Sequence, residues 1–126
     1  MTQQNPDFES VEYHLVYSEL INAARRRGTV TYQELAHVVG LPLEGNYMGK
    51  RIGELLGTVS ENEVRHNRPM LSAIAVTTGG RPGGGFFTWA RQLNLLQSEH
   101  KTDEDAFWEQ QKKQIYATWQ QRFYKG

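Results

Sequence analysis

Side chains that could form or break covalent bonds are few in this chain and widely spaced. It has no cysteine, which excludes thiolate nucleophiles and cysteine-based zinc or iron–sulfur sites. No two histidines have the i, i+4 spacing of a metal-binding helix, and they stand at His14, His37, His66 and His100. We therefore expect no catalytic residue, no metal ion and no cofactor.

Two segments that resemble reactive sites are better explained by local structure. The acidic run Asp103, Glu104 and Asp105 suits the first turn of a helix, where carboxylates complement the helix dipole. The glycine run at residues 83–85 is not followed by Lys-Ser or Lys-Thr and contains no GxGxxG pattern, so it does not match a nucleotide-binding loop. Both observations favour a binding protein over an enzyme.

A different set of side chains has the chemistry to contact nucleic acid. Asparagine and arginine can pair bidentately with base edges, and lysine can contact phosphate. Arg81, at the tip of a glycine-rich loop, would suit a minor groove or a phosphate backbone. The alternative is an ordinary solvated surface, with Tyr32 packed as an aromatic residue at a helix start. The predicted contact residues are Tyr32, Gln33, Asn46, Tyr47, Lys50, Arg51 and Arg81.

The end of the chain is rich in aromatic residues at helical spacing. Folded back on the first helix, these side chains would complete the hydrophobic core. Alternatively, they would form the interface of a homodimer or of a complex with another protein, since aromatic residues are enriched in such interfaces. The interface candidates are Trp108, Tyr116, Trp119 and Phe123.

The charge distribution is compatible with DNA without requiring it. The chain has a formal net charge of zero, which argues against indiscriminate binding of polyanions. Residues 22–91 nevertheless carry nine basic and five acidic side chains, an excess of four positive charges, which fits either a modest DNA footprint or a solvated surface. The polar N-terminus and the lack of a long apolar run predict a cytoplasmic protein without a membrane segment.

Three helices would position the predicted contact residues. Apolar spacing predicts helix 1 over residues 9–27, beginning at Ser10 or Asp7. Thr31 followed by Glu34 is a capping box that predicts the start of helix 2, and Gly40, followed by Leu41 and Pro42, is its predicted end.

Helix 3 is predicted over residues 47–56, with Gly57 as its stop. Ser60 followed by Glu63 is a second capping box, which predicts a separate helical turn over residues 60–66. Gly49 and Gly53, four apart, would allow another helix to approach closely. Two short helices joined by a tight turn behind a longer one are typical of a helix-turn-helix core.

A small β element is predicted after this core. Residues 70–77 have the composition of a buried strand, and residues 79–85 form a glycine-rich loop. Residues 86–87 would then be a second short strand or a plug in the core, and Thr88 and Thr102 would each cap a later helix. The predicted fold is mainly α with a small β wing: a winged helix-turn-helix plus an extra C-terminal helix.

The length of 126 residues corresponds to one main domain. Residues 1–8 are predicted to be a flexible N-terminus and residues 9–96 the winged-helix domain. Residues 97–126 would be a polar linker and an amphipathic, aromatic C-terminal helix.

The middle of the chain, about residues 15–96, resembles the DNA-binding domain of the alkylguanine-DNA alkyltransferases and their alkyltransferase-like relatives. Residues 28–36 (Gly-Thr-Val-Thr-Tyr-Gln-Glu-Leu-Ala) are similar to the family's Gly-x-Val-x-Ser-Tyr-Gly-Glu-Ile-Ala. Residues 50–57 (Lys-Arg-Ile-Gly-Glu-Leu-Leu-Gly) are similar to its recognition helix. The resemblance implies a winged-helix scaffold, with Tyr32 near a nucleotide phosphate and Lys50 at an intercalating position.

The chain departs from this family where the family carries its chemistry. Met70 stands at the position of the acceptor cysteine, Leu71 at that of the histidine and Ser72 at that of the arginine. A thioether cannot be deprotonated to a nucleophile, so the resemblance implies no alkyl transfer. We expect a non-catalytic protein that binds double-stranded DNA and acts by occupancy, as a regulator or an accessory that senses DNA lesions or structure. The alternative is a protein-interaction module, an adaptor or a neutralising partner of an effector, on the same scaffold.

Overall fold

The computed structural model describes residues 10–42 and 46–120. This part of the chain is mainly helical with a small parallel sheet, which confirms the predicted balance of helix and strand. In the sheet, Val30 lies opposite Ala75 and Thr31 opposite Val76. The elements in chain order are α1 (Val11–Arg25), β1 (Val30–Thr31), α2 (Tyr32–Val39), α3 (Asn46–Arg65), a 3-10 turn (Leu71–Ile74), β2 (Ala75–Val76), α4 (Gly84–Gln92) and α5 (Lys101–Trp119).

Side-chain caps start the first two helices as the sequence predicts. The hydroxyl of Ser10 accepts a hydrogen bond from the backbone N–H of Tyr13 over 3.1 Å. The hydroxyl of Thr31 accepts one from the backbone N–H of Glu34 over 3.0 Å. Gly40 ends α2 in the left-handed conformation, with φ of 80°, which glycine adopts without a steric penalty.

The third helix is longer than predicted, because packing overrides the local signals. The predicted stop at Gly57 is wrong: α3 continues through it to Arg65 and absorbs the predicted separate turn. Gly57 does not end the helix because it lies beneath the indole of Trp89, where a Cβ atom would fall 2.2 Å from Cε2. Ser60 caps nothing; it is fully buried, and its hydroxyl shares a hydrogen bond of 2.6 Å with that of Ser72.

The predicted wing differs from the structure in its strands. Of the strand expected over residues 70–77, only Ala75–Val76 forms a β-strand. The second strand is wrong, because Phe86 and Phe87 lie within α4. The alternative of a core plug is confirmed for Phe86, which is 4% exposed and packs with its ring 5.8 Å from that of Phe107.

The predicted caps of the last two helices are also wrong. Thr88 lies inside α4, which begins at Gly84 with Gly83 as its cap. Thr102 lies inside α5, whose cap residue is His100.

The last helix folds back on the chain and completes the core. It packs against α1 and against the 3-10 turn, in agreement with the first of the two alternatives for the aromatic segment. Among the described helices, none has the length and apolar character to span a membrane. The largest fully buried apolar side chains come from five of the elements and from Met70, just before the 3-10 turn. They are Val16, Leu20, Leu35, Ile52, Leu55, Val59, Met70, Leu71, Ile74 and Ile115.

Candidate nucleic-acid interface

A pocket of about 270 Å³ opens between the middle of α3, the start of α2 and the start of α4. Its polar lining includes the side chains of Tyr32, Lys50 and Ser72. Its apolar lining includes Phe86 and Trp89 of α4. The remaining lining residues are Gly49, Gly53, Leu56, Gly57, Gly83, Gly84 and Gly85.

Two glycines of α3 keep this pocket open. A Cβ atom added at Gly49 or Gly53 would meet no atom within 4 Å. The expected close approach of another helix is therefore wrong at these two positions; it occurs one turn later, at Gly57. Glycine inside a helix costs about 1 kcal/mol relative to alanine, so α3 is weakened at two positions where nothing in the fold fills the vacated space.

Tyr32 lies at the centre of the site, because it lines the pocket at the start of α2. It opens α2, and its hydroxyl sits so close to Gly83 that a Cβ atom there would lie 2.2 Å from the phenol oxygen. Only glycine at position 83 allows this approach. Burial raises the pKa of Tyr32, because a phenolate is poorly solvated there, so the group remains a neutral hydroxyl that can donate a hydrogen bond.

A second depression, of about 230 Å³, shares Tyr32 and Gly49 with the pocket. Gln33, which is exposed, lies in its wall with Thr77 and Thr78. The structure thus brings three of the predicted contact residues, Tyr32, Gln33 and Lys50, around two adjoining depressions.

Two further candidates lie at the start of α3. Tyr47 is 62% exposed, one helical turn before Lys50. Asn46 is the first residue of α3; its side chain lies outside the described part of the structure.

The two predicted arginines make contacts within the protein instead. Arg51 is only 19% exposed; its Nη2 lies 2.6 Å from Glu12 of α1 and its Nη1 3.2 Å from Glu54. Arg81 pairs with Asp105 of α5, Nη2 to Oδ1, over 2.5 Å, and its guanidinium lies 5.2 Å from the ring centroid of Trp108. Contact of either residue with nucleic acid stays a prediction, and it would require these ion pairs to be exchanged.

The aromatic residues of α5 are used mostly inside the protein. Trp108 is 8% exposed and donates its indole N–H to the carbonyl oxygen of Ala73 over 2.9 Å. Its role at an interface stays a prediction, and the ring is largely covered by the protein's own chain.

Tyr116 and Trp119 are partly buried and also pack internally. The hydroxyl of Tyr116 donates to the carbonyl oxygen of Gly28 over 2.8 Å. The Trp119 ring meets Tyr17 edge-on at 6.3 Å and lies 5.6 Å from the guanidinium of Arg68. The fourth candidate, Phe123, falls outside the described residues.

The lining residues that sequence reasoning did not assign to the site include Ser72 and Trp89. Met70, placed at the acceptor position by the resemblance, is fully buried and is not among the residues that line the pocket. Ser72, two residues later, lines it. The one available signal was a serine within an otherwise apolar run.

Comparison of the chain with protein-family models, with curated proteins and with solved structures gave no match. Within residues 10–42 and 46–120, no group of three or more histidine or acidic side chains is arranged to hold a metal ion.

Proposed function

We propose that this protein binds double-stranded DNA without catalysis, with α2 and α3 acting as a helix-turn-helix pair. The observation that carries the proposal is the convergence of Tyr32, Gln33 and Lys50, from two helices, around adjoining depressions. Residue type and position predict that these side chains contact nucleic acid, and the two depressions that they line share Tyr32 and Gly49.

The α3 side of this surface offers groups suited to both backbone and base contacts. Lys50 is exposed and has no ion-pair partner among the described residues, so its ammonium group is available to a phosphate. Tyr47, exposed one turn earlier, can stack on a base or contact the sugar-phosphate backbone.

We further propose that the fold acts as a winged helix in a reduced form. The loop after β2 is closed by a hydrogen bond of 2.8 Å from the N–H of Thr77 to the carbonyl oxygen of Arg81 and by a bridge between Val76 and Pro82. This loop stands in the chain where a wing is expected, beside the second depression.

The alternative of a protein-interaction module is less well supported. The aromatic face on which it depended packs against α1 and the 3-10 turn. Zero net charge is its remaining support.

Fluorescence anisotropy with labelled duplex and single-stranded DNA at two salt concentrations tests the proposal. We expect binding to duplex that weakens with salt, because phosphate contacts release counterions. Lys50→Ala should weaken binding and reduce the salt slope by about 1, as expected for the loss of one phosphate contact.

Lys113→Ala is the matched control, since Lys113 is exposed on α5 and also has no ion-pair partner among the described residues. It removes the same charge away from the proposed surface. No duplex binding at low salt, or equal losses in the two variants, would overturn the proposal.

A further inference from the structure

The polar side chains that line the pocket between α2, α3 and α4 present unused hydrogen-bond donors. The hydroxyl of Tyr32 and the indole N–H of Trp89 have no hydrogen-bond partner among the described residues. Lys50 adds an ammonium group at the same pocket. An ammonium and an indole N–H can only donate, and a phenol O–H is a good donor.

Ser72 contributes a further donor from within the protein. It is 6% exposed, and its hydroxyl shares one hydrogen bond of 2.6 Å with the hydroxyl of Ser60. Two hydroxyl groups carry two protons, and one of these is sufficient for the shared bond. Neither serine has another acceptor in the described part of the chain, so one buried O–H remains without an acceptor. The unused proton is that of Ser72, which lines the pocket, when Ser60 is the donor of the shared bond.

The backbone at the start of α4 adds two more donors. Gly84 and Gly85 are the first residues of this nine-residue helix, and their N–H groups have no partner within it. The cap residue Gly83 has no side chain to cover them. The positive end of the helix dipole therefore also faces the pocket region.

No acidic side chain is found among the described residues that line this pocket. The pocket thus combines hydrogen-bond donors, one cation and the N-terminus of α4. This combination favours an anion with several acceptor oxygens. Lys50, Gly84 and Gly85 are exposed, and neither the Tyr32 hydroxyl nor the Trp89 indole N–H is a buried group without a partner. An oxyanion in the pocket would therefore replace water at several donors together.

We propose that the pocket binds a phosphate monoester, carried by the end of a nucleic-acid strand or by a free mononucleotide. A monoester has a charge of about −1.5 to −2 near neutral pH and three acceptor oxygens, which matches several convergent donors. The volume of about 270 Å³ is below the roughly 300–1,000 Å³ typical of sites for drug-sized ligands. The rings of Phe86 and Trp89 offer an apolar wall for the sugar or base that carries the phosphate.

For the strand end, this inference rests on the proposed function; for the free nucleotide, it does not. The test compares duplexes that end in a 5′-phosphate, a 3′-phosphate or hydroxyl groups only, with adenosine monophosphate and inorganic phosphate as free probes. We expect one phosphorylated duplex to bind at least about tenfold more tightly than the hydroxyl-ended one, the effect of one charge-assisted hydrogen bond. Adenosine monophosphate should compete with that duplex.

Gly53→Leu tests the pocket directly, because the added Cβ atom meets no neighbour while the rest of the side chain would occupy the space. It should bring the ratio of the two duplex affinities close to one, and Ser72→Ala, which removes one of several donors, should lower the ratio without abolishing it. Their thermal transitions verify that both variants are folded, and Lys113→Ala is the control that retains the full ratio.

The outcomes separate this inference from the proposed function. Equal affinity for phosphorylated and hydroxyl-ended duplexes, with no response to adenosine monophosphate or inorganic phosphate, overturns the phosphate pocket and leaves DNA binding intact. A response to adenosine monophosphate that Gly53→Leu abolishes, without binding of any duplex, supports the pocket and overturns the DNA proposal.

Discussion

The indole ring of Trp89 lies directly over Gly57, so that a Cβ atom at position 57 would fall 2.2 Å from Cε2 of the ring. This contact joins α4 to the middle of α3 and forms one wall of the pocket. One turn earlier, the same face of α3 is open at Gly53. Glycines four residues apart therefore serve different purposes: one admits a neighbouring ring and the other leaves empty space.

Alanine substitutions at these two glycines should change stability in opposite directions. Gly53→Ala should raise the free energy of unfolding by about 0.5–1 kcal/mol, because alanine is the better helix former. Gly57→Ala should lower it by about 1–2 kcal/mol, because the methyl group would displace Trp89. Urea unfolding measures both changes, and each variant is the control for the other. Two changes of the same sign would contradict the packing described for Trp89.

The ion pair between Arg81 and Asp105 should contribute little to stability. It nevertheless engages Arg81, which the sequence predicts to contact DNA. Both side chains are more than 40% exposed, so Arg81→Ala should cost no more than about 1 kcal/mol. If Arg81 reaches DNA as the sequence predicts, Arg81→Ala weakens duplex binding and Asp105→Asn strengthens it, because the amide releases the guanidinium. Anisotropy titrations at low salt measure both. Unchanged affinity in the two variants would assign Arg81 to the fold alone.

Local chemistry in the sequence was enough to place the beginnings of α1 and α2 and the end of α2. The cap at Ser10, the capping box at Thr31 and the stop at Gly40 depend on neighbours within a few residues. The glycine at position 57 and the strand-like residues 86–87 were misassigned, because contacts with Trp89 and Phe107 decide their conformation. Such contacts join segments distant in sequence, and no local pattern records them.

The same distinction applies to the candidate site. Tyr32, Gln33 and Lys50 could be proposed from residue type and position, and the fold brings them together. Arg51 and Arg81 were proposed on the same grounds, yet each pairs with an acidic residue distant in the chain, Glu12 at 39 residues and Asp105 at 24 residues. The donors of the proposed phosphate pocket come from α2, α3, the 3-10 turn and α4, so no contiguous phosphate-binding motif exists to be recognised.

A buried ion pair at the end of α3 should be among the most sensitive points of the fold. Glu63 is fully buried and accepts two hydrogen bonds from Arg68, of 2.8 and 2.9 Å, and one of 2.6 Å from the hydroxyl of Tyr17. Arg68→Ala should lower the free energy of unfolding by about 3 kcal/mol, because it leaves a buried carboxylate without its cation.

Arg65→Ala is the matched control for this ion pair, since Arg65 forms an exposed pair with Glu61 on the same helix. It should cost less than about 1 kcal/mol. The double variant with leucine at positions 63 and 68 should recover most of the loss, because no buried charge remains. Chemical denaturation of the four proteins measures these differences, and similar costs for the two alanine variants would contradict the buried pair.

Tyr17 should make the stability of the protein fall in alkaline solution. Burial raises the pKa of Tyr17 above its ordinary value, and the hydrogen bond to the carboxylate of Glu63 is the second cause. The ordinary pKa of tyrosine is about 10. Near this pH the unfolded chain releases the proton, while the folded protein retains it. The folded state therefore binds more protons, and its free energy of unfolding falls as the pH rises above that value, by at most about 1.4 kcal/mol per pH unit for this group.

Urea unfolding between pH 7 and pH 11 measures this dependence. Tyr17→Phe should be less stable at pH 7, because Glu63 loses one hydrogen-bond donor. Above pH 10 its stability should decline less steeply with pH, because the Tyr17 hydroxyl that keeps its proton in the folded state is absent. Tyr47→Phe, which removes one phenol from an exposed position, is the matched control. Parallel curves of stability against pH for the native protein and Tyr17→Phe would contradict the prediction. They would mean that the Tyr17 hydroxyl has the same pKa in the folded and unfolded states, despite its hydrogen bond to the buried Glu63 carboxylate.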